Sequence, residues 1–295
     1  MRRPGQGRAL LLVPSGLVIG AVLVLPLAML LVISLLERNP NGGIVWGRFS
    51  AEAYLSFLFE RGFTGERELN WDYVAIFARS LGLAGMATVT SFAIALPTAL
   101  WMAFQPPKRR LLLVFLVTLP FWTNLLVRNY AWMLLLRNDG LIEQALAWLG
   151  LLRHLPGGRL GILYTPTATA IGLTYSFLPF MLLPIYLSIE KIDRRLLEAA
   201  FDLGADRWRV LLRVILPLSL PGIMGGVVLV FIPGLGAFIS PELLGGGKTM
   251  MVGNLIQAQF GYGRNWPFGA ALAFVLLALV LAATYAHRLR FREGR

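Results

Sequence analysis

The sequence predicts an all-α integral membrane protein: six transmembrane helices, with a cytoplasmic helix–turn–helix hairpin between helices 4 and 5. Three observations carry this. Of 295 residues, 57% are hydrophobic and 14% charged, whereas soluble domains carry about 25% charged residues. Apolar runs of the roughly 20 residues that a bilayer core requires recur six times. One stretch, residues 191–216, interrupts the apolar pattern with charges at helical spacing. Residues 1–295 are accordingly expected to form a single transmembrane domain.

The first run, residues 9–36, follows Arg2, Arg3 and Arg8. It is longer than the about 7–15 apolar residues of a signal peptide and is read as a retained span. The second and third runs cover about 81–104 and 111–127, the fourth 168–189, the fifth 215–238 and the sixth 268–287. Basic residues set the expected direction. Arg2, Arg3 and Arg8, Lys108, Arg109 and Arg110, the six of the hairpin region (Lys191, Arg194, Arg195, Arg207, Arg209, Arg213) and Arg288, Arg290, Arg292 and Arg295 all fall on one side. These are 16 of the 27 Lys and Arg residues, beside six of the 15 acids. Both termini and the hairpin are therefore expected in the cytoplasm. The net charge of +12 is a topology signal and requires no nucleic-acid partner.

On the other side, Glu37 to Arg79 is expected to cap the outer face, with Trp46, Tyr54, Trp71 and Tyr73 at the membrane interface. In the segment Arg128 to Thr165, Leu141, Ile142, Leu146, Leu149 and Leu152 share a helical face suited to the membrane surface. The absence of cysteine rules out disulfides, thiolate metal sites and cysteine nucleophiles, and two histidines, His154 and His287, are too few for an imidazole-rich metal site. "GGGKT", Gly245 to Thr249, imitates the end of a phosphate-binding loop. The full pattern needs glycine where Glu242 stands, and a strand before it. It is read as a turn leading back towards the sixth span.

The hairpin is drawn from local signals. Asp193 is an N-cap, Arg194 to Leu203 is strongly helix-forming, and Gly204 suits a left-handed helix end. Asp206 caps a second helix, Arg207 to Leu216, which Pro217 breaks or kinks before the fifth span. Ile192, Leu196, Ala200 and Leu203 form an apolar stripe flanked by Leu197 and Phe201. Trp208, Leu211, Leu212 and Ile215 do the same on the second helix.

Within it, Glu198-Ala199-Ala200, three residues, Gly204, nine residues, Val214, one residue and Leu216-Pro217 resemble the signature of ATP-binding-cassette (ABC) importer permeases. The resemblance implies that the hairpin docks in a cleft of a separate ATPase subunit and transmits its closure to the spans. Coupling then falls to Glu198, Ala199, Ala200, Asp202, Gly204, Ala205, Val214, Leu216 and Pro217. The two alanines permit close packing, and Glu198 supplies a carboxylate that is buried or faces the partner. Its local alternative, a pair with Arg194 or Arg195, is worth a few tenths of a kcal/mol.

"LPFWTNLLVRNYAW" (residues 119–132), "YSFLPFMLLPIYLSIEKID" (175–193), "GLGAFISPELLGGGKTMMVGNLIQAQF" (234–260) and "RNWPFGAA" (264–271) are similar to the spermidine/putrescine branch of these permeases. Such systems combine two different six-span permeases, an ATPase dimer that binds ATP and magnesium, and a periplasmic binding protein, in the bacterial inner membrane. The resemblance thus implies a non-enzymatic subunit with no cofactor of its own, working by alternating access. A polyamine path is expected to offer carboxylates and aromatic faces, yet the six runs contain no Asp or Glu. Branch members often carry an acid where this chain has Ala237. Trp122, Asn124, Tyr130 and Tyr175 are the expected lining, and Glu242, at the outer end of span five, the expected acceptor of a cation. Arg128 is placed at the outer surface, paired with Asp139 or Glu143 or facing the binding protein; as a cation it would repel a polyamine.

An importer of another small solute fits the same hairpin. An integral-membrane enzyme would need titratable groups clustered at one membrane face. A secondary transporter or channel usually carries charges inside its spans, and often an inverted repeat. The sequence offers neither pattern.

Overall fold

The computed structural model describes the backbone of residues 6–61, 67–154 and 159–292, and the side chains of 13–59, 68–152 and 159–285. The terminal arginines that set the expected orientation, and both histidines, lie outside the described side chains. Where the sequence reads as one domain, contacts divide the chain into two compact units, Met1–Val74 with Leu255–Arg295, and Ala75–Asn254.

In the first unit a long helix α1 (Gln6–Ser34) leads into an antiparallel pair, β1 (Leu36–Arg38) and β2 (Ile44–Phe49). A short helix α2 (Glu52–Leu58) and a second antiparallel pair, β3 (Phe59–Arg61) and β4 (Arg67–Leu69), follow. The unit is completed by the C-terminal helix α13 (Trp266–Arg292), which packs on α1 and α2. Of the four expected interface aromatics, Trp46 and Trp71 are exposed. Tyr54 and Tyr73 are half-buried: the Tyr54 hydroxyl hydrogen-bonds Ser34 Oγ at 2.8 Å, and the Tyr73 ring lies 5.1 Å from that of Phe268.

The second unit takes up most of α3 (Trp71–Ala103), which starts ten residues before the predicted span. It continues through α4 (Pro107–Thr118), α5 (Leu125–Leu136), α6 (Leu141–Trp148), α7 (Pro166–Glu190), α8 (Arg194–Asp202), α9 (Arg207–Val210), α10 (Leu216–Leu235), α11 (Ile239–Gly245) and the start of α12 (Val252–Phe260). Among the described residues five helices are long and apolar enough to cross a membrane, or six if the bent pair Pro107–Trp122 and Leu125–Trp148 is one span. The third predicted span, 111–127, is thus not straight: it runs across the break between these two segments, which meet at 92°. Pro120 removes a helical N–H, the chain tightens into a 3₁₀ turn at Leu119–Trp122, and extended Asn124 starts α5 afresh by capping Leu126 N at 2.8 Å.

The core of this unit is the face between α7 and α10. Hydrocarbon is no poorer a solvent for Leu than another helix, so close backbone approach must supply the attraction. Gly222 and Gly226, four residues apart on α10, provide it. A Cβ at Gly222 would strike the Pro184 carbonyl oxygen and Ser188 Cβ, and one at Gly226 would lie 2.8 Å from Met181 Sδ. Met181, Leu182, Ile185, Tyr186 and Ile189 of α7 join Ile223 and Val230 of α10 and Ala95, Ala99, Met102 and Ala103 of α3 in one buried cluster. Polar links add to it: Thr90 and Thr174 hydroxyls meet at 2.7 Å, and Arg110 reaches Glu190 at 2.8 Å.

Candidate functional site

The hairpin joins the two helices of that core, because α8 follows α7 after three residues and α9 runs on into α10. Asp193 caps α8 by accepting from Arg195 N at 3.0 Å, and Asp206 caps α9 by accepting from Arg209 N at 2.7 Å. Between them the chain reverses at Gly204, φ +79°. Ala205 N donates to Ala200 O at 3.1 Å and Gly204 N to Phe201 O at 2.9 Å, the paired bonds of a Schellman helix end. All three local expectations hold.

Pro217 acts differently from expectation. It neither breaks nor sharply kinks the chain; Leu211–Ile215 widens into a π-helix, closed by Leu216 N donating to Leu211 O. The wider turn accommodates a proline that lacks an N–H and crowds the preceding carbonyls. The second arm therefore enters the membrane as continuous helix from Arg207 to Leu235.

The apolar residues of the hairpin divide between two surfaces. Leu197, Val210 and Ile215 are buried in the core cluster, with Ile192, Ala200, Ala205, Leu211, Val214 and Leu216 packed against it. Leu196, Phe201, Leu203, Trp208 and Leu212 point outward, Leu203 being 89% exposed. The predicted stripes thus mix an inner and an outer face, and Val210 lies outside them. Ala199 is exposed, so its smallness serves no packing within this chain. Glu198 is exposed too, and lines a groove of about 630 Å³ with Arg194, Arg207, Leu100, Phe104 and Phe201. Neither Arg194 nor Arg195 makes an ion pair with it among the described residues. Asp202 and Pro217 are likewise exposed.

The five expected path residues come from the α4–α5 bend, α5, α7 and α11, and α5, α7 and α11 pack on one another. Trp122 is 77% exposed and meets Phe115 edge-on, Asn124 is the α5 cap described above, and Tyr130 is exposed. Tyr175 packs edge-on against Trp132 at 5.5 Å. Glu242 lies on α11, a separate short helix beyond the end of α10, where its carboxylate accepts from Asn254 Nδ2 at 3.0 Å. Asn254 carries no motif that sequence reading could single out. It also donates to Phe238 O and accepts from Met251 N, tying the start of α12 to α11. Gly246 and Gly247, of the phosphate-loop imitation, both have left-handed backbones in the turn between those helices. At Ala237 the surroundings are apolar, with Leu83, Ala87, Leu173 and Met251 nearby. On α6 the expected face is divided: Leu141 and Leu149 are exposed, while Ile142 and Leu146 are half-buried.

A family model described as "Binding-protein-dependent transport system inner membrane component" matches residues 77–289. The spermidine/putrescine transport system permease protein PotB of Haemophilus influenzae is 45% identical over 216 residues, 72% of this chain and 74% of that protein. PotB of Escherichia coli is 43% identical over 204 residues, 69% of this chain and 73% of that one. Among solved structures, a bacterial ABC transporter involved in the import of the acidic polysaccharide alginate matches with a TM-score of 0.68 at 17% identity, covering 95% of this chain and 94% of that chain. The inward-facing MetNI methionine ABC transporter matches with a TM-score of 0.55 at 19% identity, covering 76% and 97%. The structural likenesses bear on fold, and the family model and sequence relatives on kinship: this multi-pass membrane chain belongs to the family of binding-protein-dependent transport system inner membrane components.

Proposed function

We propose that the chain is a permease subunit of an ATP-driven importer that carries polyamines into the cytoplasm by alternating access. The observation that carries the cargo is the 45% identity to a spermidine/putrescine permease over 72% of the chain. The hairpin, capped at both helices and rooted in the α7–α10 core, supports the coupling role. Its outward residues Leu196, Phe201, Leu203, Trp208 and Leu212 offer an apolar surface to an ATPase dimer, which holds the ATP and magnesium. This chain supplies no catalytic residue and no cofactor of its own. A second, different permease completes the pathway, and a periplasmic binding protein delivers the solute. Both termini and the hairpin face the cytoplasm. Ligand and nucleotide drive the cycle through their different affinities for its two states.

Uptake of labelled spermidine and putrescine by cells carrying the complete transporter tests this. Uptake is expected to require ATP and the binding protein, and unlabelled polyamine is expected to compete. Uptake of some other solute with no polyamine competition would remove the cargo assignment and leave the permease assignment standing.

A further inference from the structure

Arg128 does not make either of the ion pairs that its sequence position suggests. Both proposed acid partners fail it. Glu143 is buried and spent on backbone, accepting from Asp139 N at 2.7 Å and Leu160 N at 3.3 Å, and Arg128 has no ion pair among the described residues. Its Nε is buried without a hydrogen bond. The guanidinium lies instead over the Phe121 ring, 5.6 Å from its centroid, and Phe121 stacks edge-on against Phe180 at 4.8 Å.

The depth of this stack follows from α7. Arg110 and Glu190 pair at the hairpin end of α4 and α7. Phe180 is ten residues from Glu190, about 15 Å along a helix, or about half of a hydrocarbon core of roughly 30 Å. A cation held among membrane helices marks a solute path by default, and among the described residues the Phe121 ring is the cation–π partner of Arg128. Phe180 remains 40% exposed and Tyr130, two residues beyond Arg128, is 49% exposed, so the stack is not sealed within this chain.

We propose that the Phe121–Phe180 stack is an ammonium-binding step in the solute path, and that Arg128 fills it until an amine displaces the guanidinium. The chain thereby accounts for a path without carboxylates: the resting cation is its own side chain. Two cations do not share one ring face, so Arg128 competes with the solute and keeps binding weak enough for release. This rests on the polyamine reading above.

The test is equilibrium binding of labelled spermidine to the assembled transporter in nanodiscs, with the binding protein omitted and wild-type uptake measured alongside. Arg128→Gln is expected to tighten Kd roughly 3- to 30-fold, the equivalent of one cation–π contact. Arg128→Lys keeps the competing charge and is expected to stay near wild type. Adding Phe121→Leu to Arg128→Gln is expected to abolish the gain. An unchanged or weaker Kd for Arg128→Gln, with wild-type uptake intact, overturns the exchange alone. Absence of spermidine uptake by wild type overturns the cargo reading, and the exchange with it. Should Arg128→Gln not assemble, Phe121→Leu decides by itself: weaker binding supports the stack, and an unchanged Kd removes it.

Discussion

Gly222→Ile is expected to cost at least about 3 kcal/mol and to leave little folded protein. Overpacking a filled core typically costs about 1–3 kcal/mol, occasionally more. At Gly222 the obstacle includes the backbone carbonyl of Pro184 and Ser188 Cβ, neither of which is the yielding end of a flexible side chain. Relief therefore requires α7 and α10 to part, and the close approach that attracts helices in a membrane goes with it. Gly226→Val should follow closely, since the added Cβ meets the Met181 backbone at 3.1 and 3.2 Å. Gly225→Ala is the control: its nearest neighbour is 4.0 Å away, and it should be close to neutral. Thermal unfolding of the three purified variants checks the ranking. A stable Gly222→Ile protein would contradict the α7–α10 packing.

Gly204→Val is expected to lower transport per ATP hydrolysed by roughly 5- to 30-fold. A left-handed backbone costs an ordinary residue about 1–2 kcal/mol, and that shifts the hairpin population by the same factor. A Cβ here meets nothing within 4 Å, so φ is the only local source of the penalty. Gly204→Asn separates two roles, because asparagine tolerates this backbone yet adds bulk at an exposed position. Recovery with Asn assigns the glycine to the turn alone. Loss with both Asn and Val assigns it also to the surface a partner must approach. Normal coupling in Gly204→Val would count against the hairpin as the coupling element.

The hairpin was the most legible part of the sequence because its signals are local. Asp193, Gly204 and Asp206 act on backbone within a few residues, and each does so in the structure. The third span was less legible, since the choice between a tilted helix and a bent pair turns on Pro120 and Asn124 acting together. Helix pattern also could not tell which apolar residues of the hairpin face inward. Val210 and Ile215 join the cluster built on α3 and α7, whereas Trp208 and Leu212 face out, and that choice depends on residues far away along the chain. Gly222 and Gly226 gain their meaning only from Met181 and Pro184 opposite. The expected path residues are legible as chemistry, whereas the packing of α5, α7 and α11 on one another depends on contacts far apart in the chain.

The hairpin is expected to take hold of an ATPase. The chain has no cysteine, so Leu203→Cys, at the most exposed large apolar residue of α8 and its turn, is a unique attachment point. A thiol-linked photo-crosslinker there, in the assembled transporter, is expected to join this chain to the ATPase subunit with a yield that changes when ATP binds. No ATPase adduct, or labelling of that cysteine in intact cells by a membrane-impermeant thiol reagent, would contradict it.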